Sequence, residues 1–204
     1  MALTKPAEFF RLMREGLLGP DLDQSEVDGC NALLKAVDGA PLSWAAYMLA
    51  TAYHETASTM QPIKEYGGPT YFTRMYDVTG ARSQKAVAMG NTCAGDGPKY
   101  CGRGYVQLTW KNNYKRAGDE CGVDLVANPD KAMDPEIAAK VMRKGMEAGW
   151  FTGKKLSDYL PVKGRGAPVQ YQRARYIING SDKAARIAEH AKKFEDALIA
   201  GGWS

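Results

Sequence analysis

Two glutamates ten residues apart, Glu55 and Glu65, lie in "TAYHETASTMQPIKEYGG", residues 51–68, which begins as an apolar run and ends in Pro and Gly. On a helix, stepping back from Glu55 at 100° per residue places Trp44, Met48 and Thr51 within about 40° of it. No charge occurs between Asp38 and Glu55. A helix that is apolar nearly all round is a buried one. Glu55 therefore falls on the last turn of a core helix. Desolvation there, and the partial negative charge of a helix C-terminus, both favour a carboxyl that keeps its proton. That suits a proton donor, whereas a helix that simply emerges into water at Glu55 would carry no chemistry. Pro62 stops the helix, and Glu65 follows in a polar loop beside Tyr66, Gly67 and Gly68, where a carboxylate stays hydrated and ionised. One carboxyl to donate a proton and another to activate water would hydrolyse a glycosidic bond. Ten residues of chain can set the two ~6.5–9.5 Å apart, the inverting separation.

A second stretch carries polar groups at regular spacing. In "YCGRGYVQLTWKNNY", residues 100–114, Tyr105, Gln107 and Thr109 alternate with Val106, Leu108 and Trp110. Period-two alternation predicts a half-buried strand whose polar face can hold a sugar or a water; an ordinary edge strand is the plain alternative. Gly102 and Gly104 bracket Arg103, which marks a close backbone approach. The third glycine of a dinucleotide fingerprint is missing and no βαβ pattern follows.

"AYHET", then "YCGRGYVQLTWKNNY", then "YIINGS" resemble, in that order, the family 19 glycoside hydrolases: chitinases and the related phage endolysins and prophage lysozymes. "MLATAYHETASTMQPIKEYGG", "GDGPKYCGRG", "DPEIAAK" and "GWFTGKKLSDY" are similar to the endolysin branch. The resemblance implies a lysozyme-like fold, Glu55 as general acid, Glu65 as base and Thr109 as holder of the attacking water. It implies sugar contacts from Gln107, Asn113 and Asn179, with Arg103 and Tyr105 in support. In plant chitinases a longer segment precedes the second glutamate. The shorter chain here implies a more open substrate site. The expected activity is cleavage of β-1,4 bonds in peptidoglycan without metal or organic cofactor. The alternatives are a chitinase, a lytic transglycosylase and a glycan-binding protein without turnover.

Positioning these residues falls to a mainly α chain with a small central β element, read as one catalytic domain over residues 1–204, with room for two lobes. Helices are expected near residues 9–17, 21–39, 44–55, 83–89, 135–148 and 169–178, and from 183 to about 200. Ser43 and either Ser181 or Asp182 are the expected caps of the third and last of the principal helices. Residues 67–104 read mostly as loops with short strands. Asp21 and Asp23 begin like a calcium loop but lack its Gly and Glu, which makes them a helix cap. Tyr66, Tyr71, Phe72 and Tyr76 cluster after Glu65, fit for packing under a loop or for stacking on sugar.

Net charge is +4, and its placement is uneven: residues 161–204 hold eight Lys/Arg against four Asp/Glu, leaving 19 of each sign before them. Such a segment suits an anionic polymer or a solvated helix face equally. No nucleic-acid-binding motif accompanies it. The N-terminal run is broken by Glu8, Arg11, Arg14 and Glu15, so neither a signal peptide nor a membrane span is expected there. A monomer in the host cytoplasm, acting on the wall after release, is the corresponding expectation. Four cysteines are too few for a disulfide scaffold, although Cys93 and Cys101 flank a Gly-rich turn and can bridge in an oxidising place. His54 lacks the second histidine of a His-Glu-x-x-His zinc motif, since position 58 is Ser. Arg173 and Arg175, two apart, cannot share a helix face, so one is free to enter the site while the other meets solvent.

Overall fold

The computed structural model describes residues 3–203. Its helices are α1 (Pro6–Met13), α2 (Gln24–Ala36), α3 (Leu42–Glu55), α4 (Pro69–Tyr76), α5 (Ser83–Ala88), α6 (Asp96–Lys99), α7 (Lys111–Cys121), α8 (Pro135–Ala148), α9 (Pro168–Ala174) and α10 (Ala184–Ala200). Two short strands, β1 (Ile63–Lys64) and β2 (Arg103–Gly104), pair antiparallel with Ile63 opposite Gly104 and Lys64 opposite Arg103. The mainly helical class expected from the sequence is what is found. Among the described residues, no helix is long and apolar enough to cross a membrane.

The chain divides into two compact units, one formed by residues up to Gln61 together with those from Met142 onward, the other by Pro62–Val141. In the first, α3 is the central helix. Every residue from Ala45 to Tyr53 is buried, as its unbroken apolar run requires. It packs against α10, where Phe194 meets Tyr53 edge-on at 6.0 Å, and Tyr47 stacks on Tyr171 of α9. Asp23 caps α2 through a reciprocal box with Glu26, in line with the cap read from the sequence. Ser43 does not cap α3: Pro41 occupies that position, and the Ser43 hydroxyl instead donates to the Pro161 carbonyl at 2.7 Å. Lys183, in the left-handed region, precedes α10 in place of a Ser181 or Asp182 cap.

The same unit holds a fully buried carboxylate that hydropathy gave no reason to expect. Glu195 accepts from Arg165 Nε at 2.8 Å, from the Gly166 N–H and the Tyr171 hydroxyl at 2.7 Å each, and from Lys192. Burial alone would raise its pKa, but the Lys192, Tyr171, Arg165 and Gly166 donors outweigh burial and hold it below the usual range. The Glu195 cluster pins the loop before α9 onto α10. At the chain's two ends, the Lys5 N–H bonds the Gly201 carbonyl at 2.8 Å.

In the second unit, Asp77 takes over the organising role after α4. Its carboxylate accepts from Thr79 N and Oγ1 and from the N–H groups of Gly95 and Gly97, all within 3.0 Å. The sequence reading left residues 67–104 almost without helix. Yet α4 forms there, with Pro69 at its first turn and Phe72 turned inward. Cys93 is exposed, Cys101 is buried, and both are free, so the bridge that their spacing allowed is not made.

Candidate active site

The residues singled out in the sequence fall into two clusters, one in each unit. In the first unit Glu55 is the last residue of α3, and Thr56 closes the helix by donating both N–H and hydroxyl to the Ala52 carbonyl. The Glu55 side chain is 18% exposed and accepts from Arg175 Nη1 at 2.7 Å; the arginine side chain is 2% exposed. The dry, unpaired acid expected from the helix pattern is therefore not the arrangement observed. Glu55 meets a buried cation supplied by the 3-10 turn Arg175–Ile177 that follows α9. Arg175 Nε donates to the Asp182 carbonyl at 3.0 Å, which fixes the guanidinium plane. Arg173 is exposed, so the division of labour expected for this arginine pair is realised. Asn179 is exposed, its N–H bonded to the Arg175 carbonyl at 3.0 Å, on the turn that delivers the arginine. His54, beside Glu55, is half-buried, and burial lowers its pKa.

In the second unit four of the predicted residues share one neighbourhood. Glu65 extends the β1–β2 ladder: its N–H donates to the Gly102 carbonyl at 2.8 Å. Its carboxylate is not a loosely hydrated loop group, because Oε1 accepts from the Tyr76 hydroxyl at 2.8 Å and Oε2 from the Gly102 N–H at 3.1 Å. A Cβ on residue 102 would lie 2.8 Å from Gln107 Oε1 and 3.1 Å from Glu65 Oε2. This close approach is what the glycine permits.

Residues 105–110 are not a strand. β2 ends at Gly104, and Arg103 and Leu108 exchange backbone hydrogen bonds across a tight loop. Gln107 and Trp110 take positive φ values of 52° and 80°. The alternation in sequence reflects the fully wrapped loop: Tyr105, Val106, Leu108 and Trp110 are all buried, while Gln107 and Thr109 are partly open.

The loop's own hydrogen bonds decide what it offers. Gln107 Nε2 donates to the Ile63 and Gly104 carbonyls, each at 3.2 Å, which leaves Oε1 as an acceptor. The Thr109 hydroxyl gives its proton to the Gln107 carbonyl at 2.8 Å, and Asn113 Nδ2 donates to the Thr109 carbonyl at 2.8 Å. Gln107, Thr109, Asn113 and Glu65 thus present acceptor oxygens, complementary to hydroxyl and amide N–H donors of a ligand.

Arg103 and Tyr105 stand apart from this set. Tyr105 is fully buried, and Arg103, 3% exposed, is bonded to the Lys99 and Cys101 carbonyls, the Tyr114 hydroxyl and Asp130. Burial denies both side chains direct contact with a sugar, contrary to the contact the resemblance implied. Tyr76 is the residue the sequence reading grouped with aromatics fit for packing or for stacking on sugar, not with the carboxylate it bonds. The available signal was helical: Pro69 at a first turn, then Phe72 and Tyr76 four apart on one face.

The class I chitinase family model matches residues 40–174. Chitinase 11 of Oryza sativa subsp. japonica is 51% identical over 55 residues, 26% of this chain and 19% of that protein. Endochitinase CHI of Arabidopsis thaliana is 33% identical over 105 residues, 51% of this chain and 35% of that protein. The chain thus spans between a fifth and about a third of the length of these two curated relatives. In fold it is similar to chitinase C from Streptomyces griseus HUT6037, with a TM-score of 0.62 and 22% identity, covering 100% of this chain and 79% of that one.

Proposed function

This chain belongs to the family 19 glycoside hydrolases, the family of class I chitinases, and from that membership we propose that it hydrolyses β-1,4 bonds in a glycan containing N-acetylglucosamine. The observation that carries the reading is the ordered Glu65 carboxylate set beside three acceptor groups, Gln107, Thr109 and Asn113. A 4-linked amino sugar supplies matching donors, its hydroxyls and its acetamido N–H. Glu65 takes a proton from a water that also donates to the Thr109 hydroxyl. The water oxygen bonds to the anomeric carbon as the bond from that carbon to the glycosidic oxygen breaks. Glu55 gives its proton to the leaving oxygen, and Arg175 steadies the carboxylate that results. The product is inverted at the anomeric carbon.

Chitin is the substrate favoured by the relatives, each of which bears the name of a chitinase. Peptidoglycan stands as the second reading because the stretches "MQPIKEYGG" and "GWFTGKKLSDY" resemble the endolysin branch. Chitohexaose and purified peptidoglycan, each incubated with the wild type, Glu55→Gln and Glu65→Gln, separate these readings. The wild type should release α-anomeric reducing ends, followed by NMR, and each substitution should lower kcat by about 10²–10⁴-fold. Initial β-anomer would overturn the assignment of Glu65 as base. 1,6-Anhydro ends in the mass spectrum would identify a transglycosylase. Turnover of neither glycan, with binding unaffected by Glu55→Gln, would leave a glycan-binding protein.

A further inference from the structure

We infer that Tyr76 is a positioning residue of this reaction, holding the Glu65 carboxylate at the angle from which it meets the attacking water. The inference rests on Glu65 acting as the base. Three observations carry it. First, the two oxygens of Glu65 are held by donors from different elements, Tyr76 at the end of α4 and the Gly102 N–H just before β2. A carboxylate held at one oxygen can still turn about that contact; one held at both has its plane fixed. Each oxygen has about two lone-pair directions, so the clamp leaves acceptor capacity for water.

Second, the tyrosine ring is itself wedged. Phe72 stacks against it at 6.4 Å and Trp110 meets it edge-on at 5.1 Å, so the hydroxyl has little freedom to leave the carboxylate. Third, the backbone of Tyr76 is tied to the helix bearing another acceptor of the site. Asn91, fully buried, donates from Nδ2 to the Tyr76 carbonyl at 2.8 Å and accepts from the Lys111 N–H at 2.9 Å. Lys111 opens α7, which carries Asn113. The base, its phenol donor and the Asn113 wall are thereby set by one side chain that no solvent reaches. Burial, followed by the bond to Glu65, raises the phenol's pKa above its ordinary range, which keeps Tyr76 a donor at neutral pH.

The test is a cycle on chitohexaose: Tyr76→Phe, Glu65→Gln and the double variant, with kcat and KM measured for each. Phenylalanine keeps the ring between Phe72 and Trp110 and removes only the hydroxyl. Tyr76→Phe should lower kcat about tenfold, the size expected for one hydrogen bond to a charged group, and leave KM within twofold. In the Glu65→Gln background the same change should have no further effect on the residual rate. Wild-type kcat in Tyr76→Phe would overturn the inference while leaving the base in place. So would an equal tenfold loss in both backgrounds, because a purely structural role is additive. Full activity in Glu65→Gln would overturn the base assignment, and the inference with it. Circular dichroism at the assay temperature confirms that each variant is folded.

Discussion

Gly102 is small because Glu65 and Gln107 both reach into the space a side chain would take. Gly102→Ala should lower kcat by about 10²-fold, since displacements of order 1 Å at a reacting group cost that much, with a far smaller change in melting temperature. Steady-state rates beside a thermal melt will check this. Arg175 makes the opposite kind of contact, a buried guanidinium donating to a carboxyl that is only partly covered. Arg175→Ala should destabilise the fold by about 1–3 kcal/mol, because it leaves the Glu55 carboxyl and the Asp182 carbonyl without their buried donor, seen as a lower urea midpoint. Glu55 and Glu65 stood out by their ten-residue spacing, while Gln107, Thr109 and Asn113 were singled out through the resemblance of one local stretch, residues 100–114, to the family. The Arg175–Glu55 pair spans 120 positions and the Tyr76–Glu65 bond joins separate elements, so no local pattern specifies either. The arginine alternation narrowed the choice to two residues; only packing selected one.

Helices with a continuous apolar face, such as α3 and α8, were legible from periodicity, and α8 runs from Pro135 to Ala148 as expected. α7 was not: "KNNYKRAGDEC" buries only Tyr114, Ala117 and Gly118 and shows almost no apolar stripe. The loop at 105–110 mimicked a strand because alternate residues of a tightly wrapped turn also point in and out. Its positive φ at Gln107 and Trp110 has no signature in residues that are not glycine. The segment after α3 shows the same property, with Ala57 at 52°, Ser58 at 73° and Met60 at 55°. A left-handed conformation costs an L-residue roughly 1–2 kcal/mol, and glycine gives back part of that in unfolded-chain entropy. Ala57→Gly and Ser58→Gly should therefore each raise stability by about 0.5 kcal/mol. A calorimetric scan showing lower melting temperatures would contradict this.

At the scale of the molecule, the first unit should lose stability as the pH falls from neutral. Burial, then the positive charge of Arg186, lowers the His190 pKa from 6.5 to about 4. Between those values the unfolded chain binds a proton that the folded chain refuses. Stability contributed by neutral His190 is therefore lost as pH falls from 6.5 toward about 4. Glu195, held below its usual range, adds a further loss at still lower pH, as that carboxylate takes up a proton. Urea midpoints should fall between about pH 7 and pH 5 in the wild type, and His190→Leu should flatten that slope. The order of the chain has a mechanical consequence as well. Residues 62–141 are spliced into the first unit, and both flanking segments return to it. Tension applied through residues 3 and 203 is thus borne by the outer unit alone, beginning at the Lys5–Gly201 clasp. In an optical trap the inserted segment should carry no load until its host has ruptured, so the half bearing Glu65 is the last to be pulled apart.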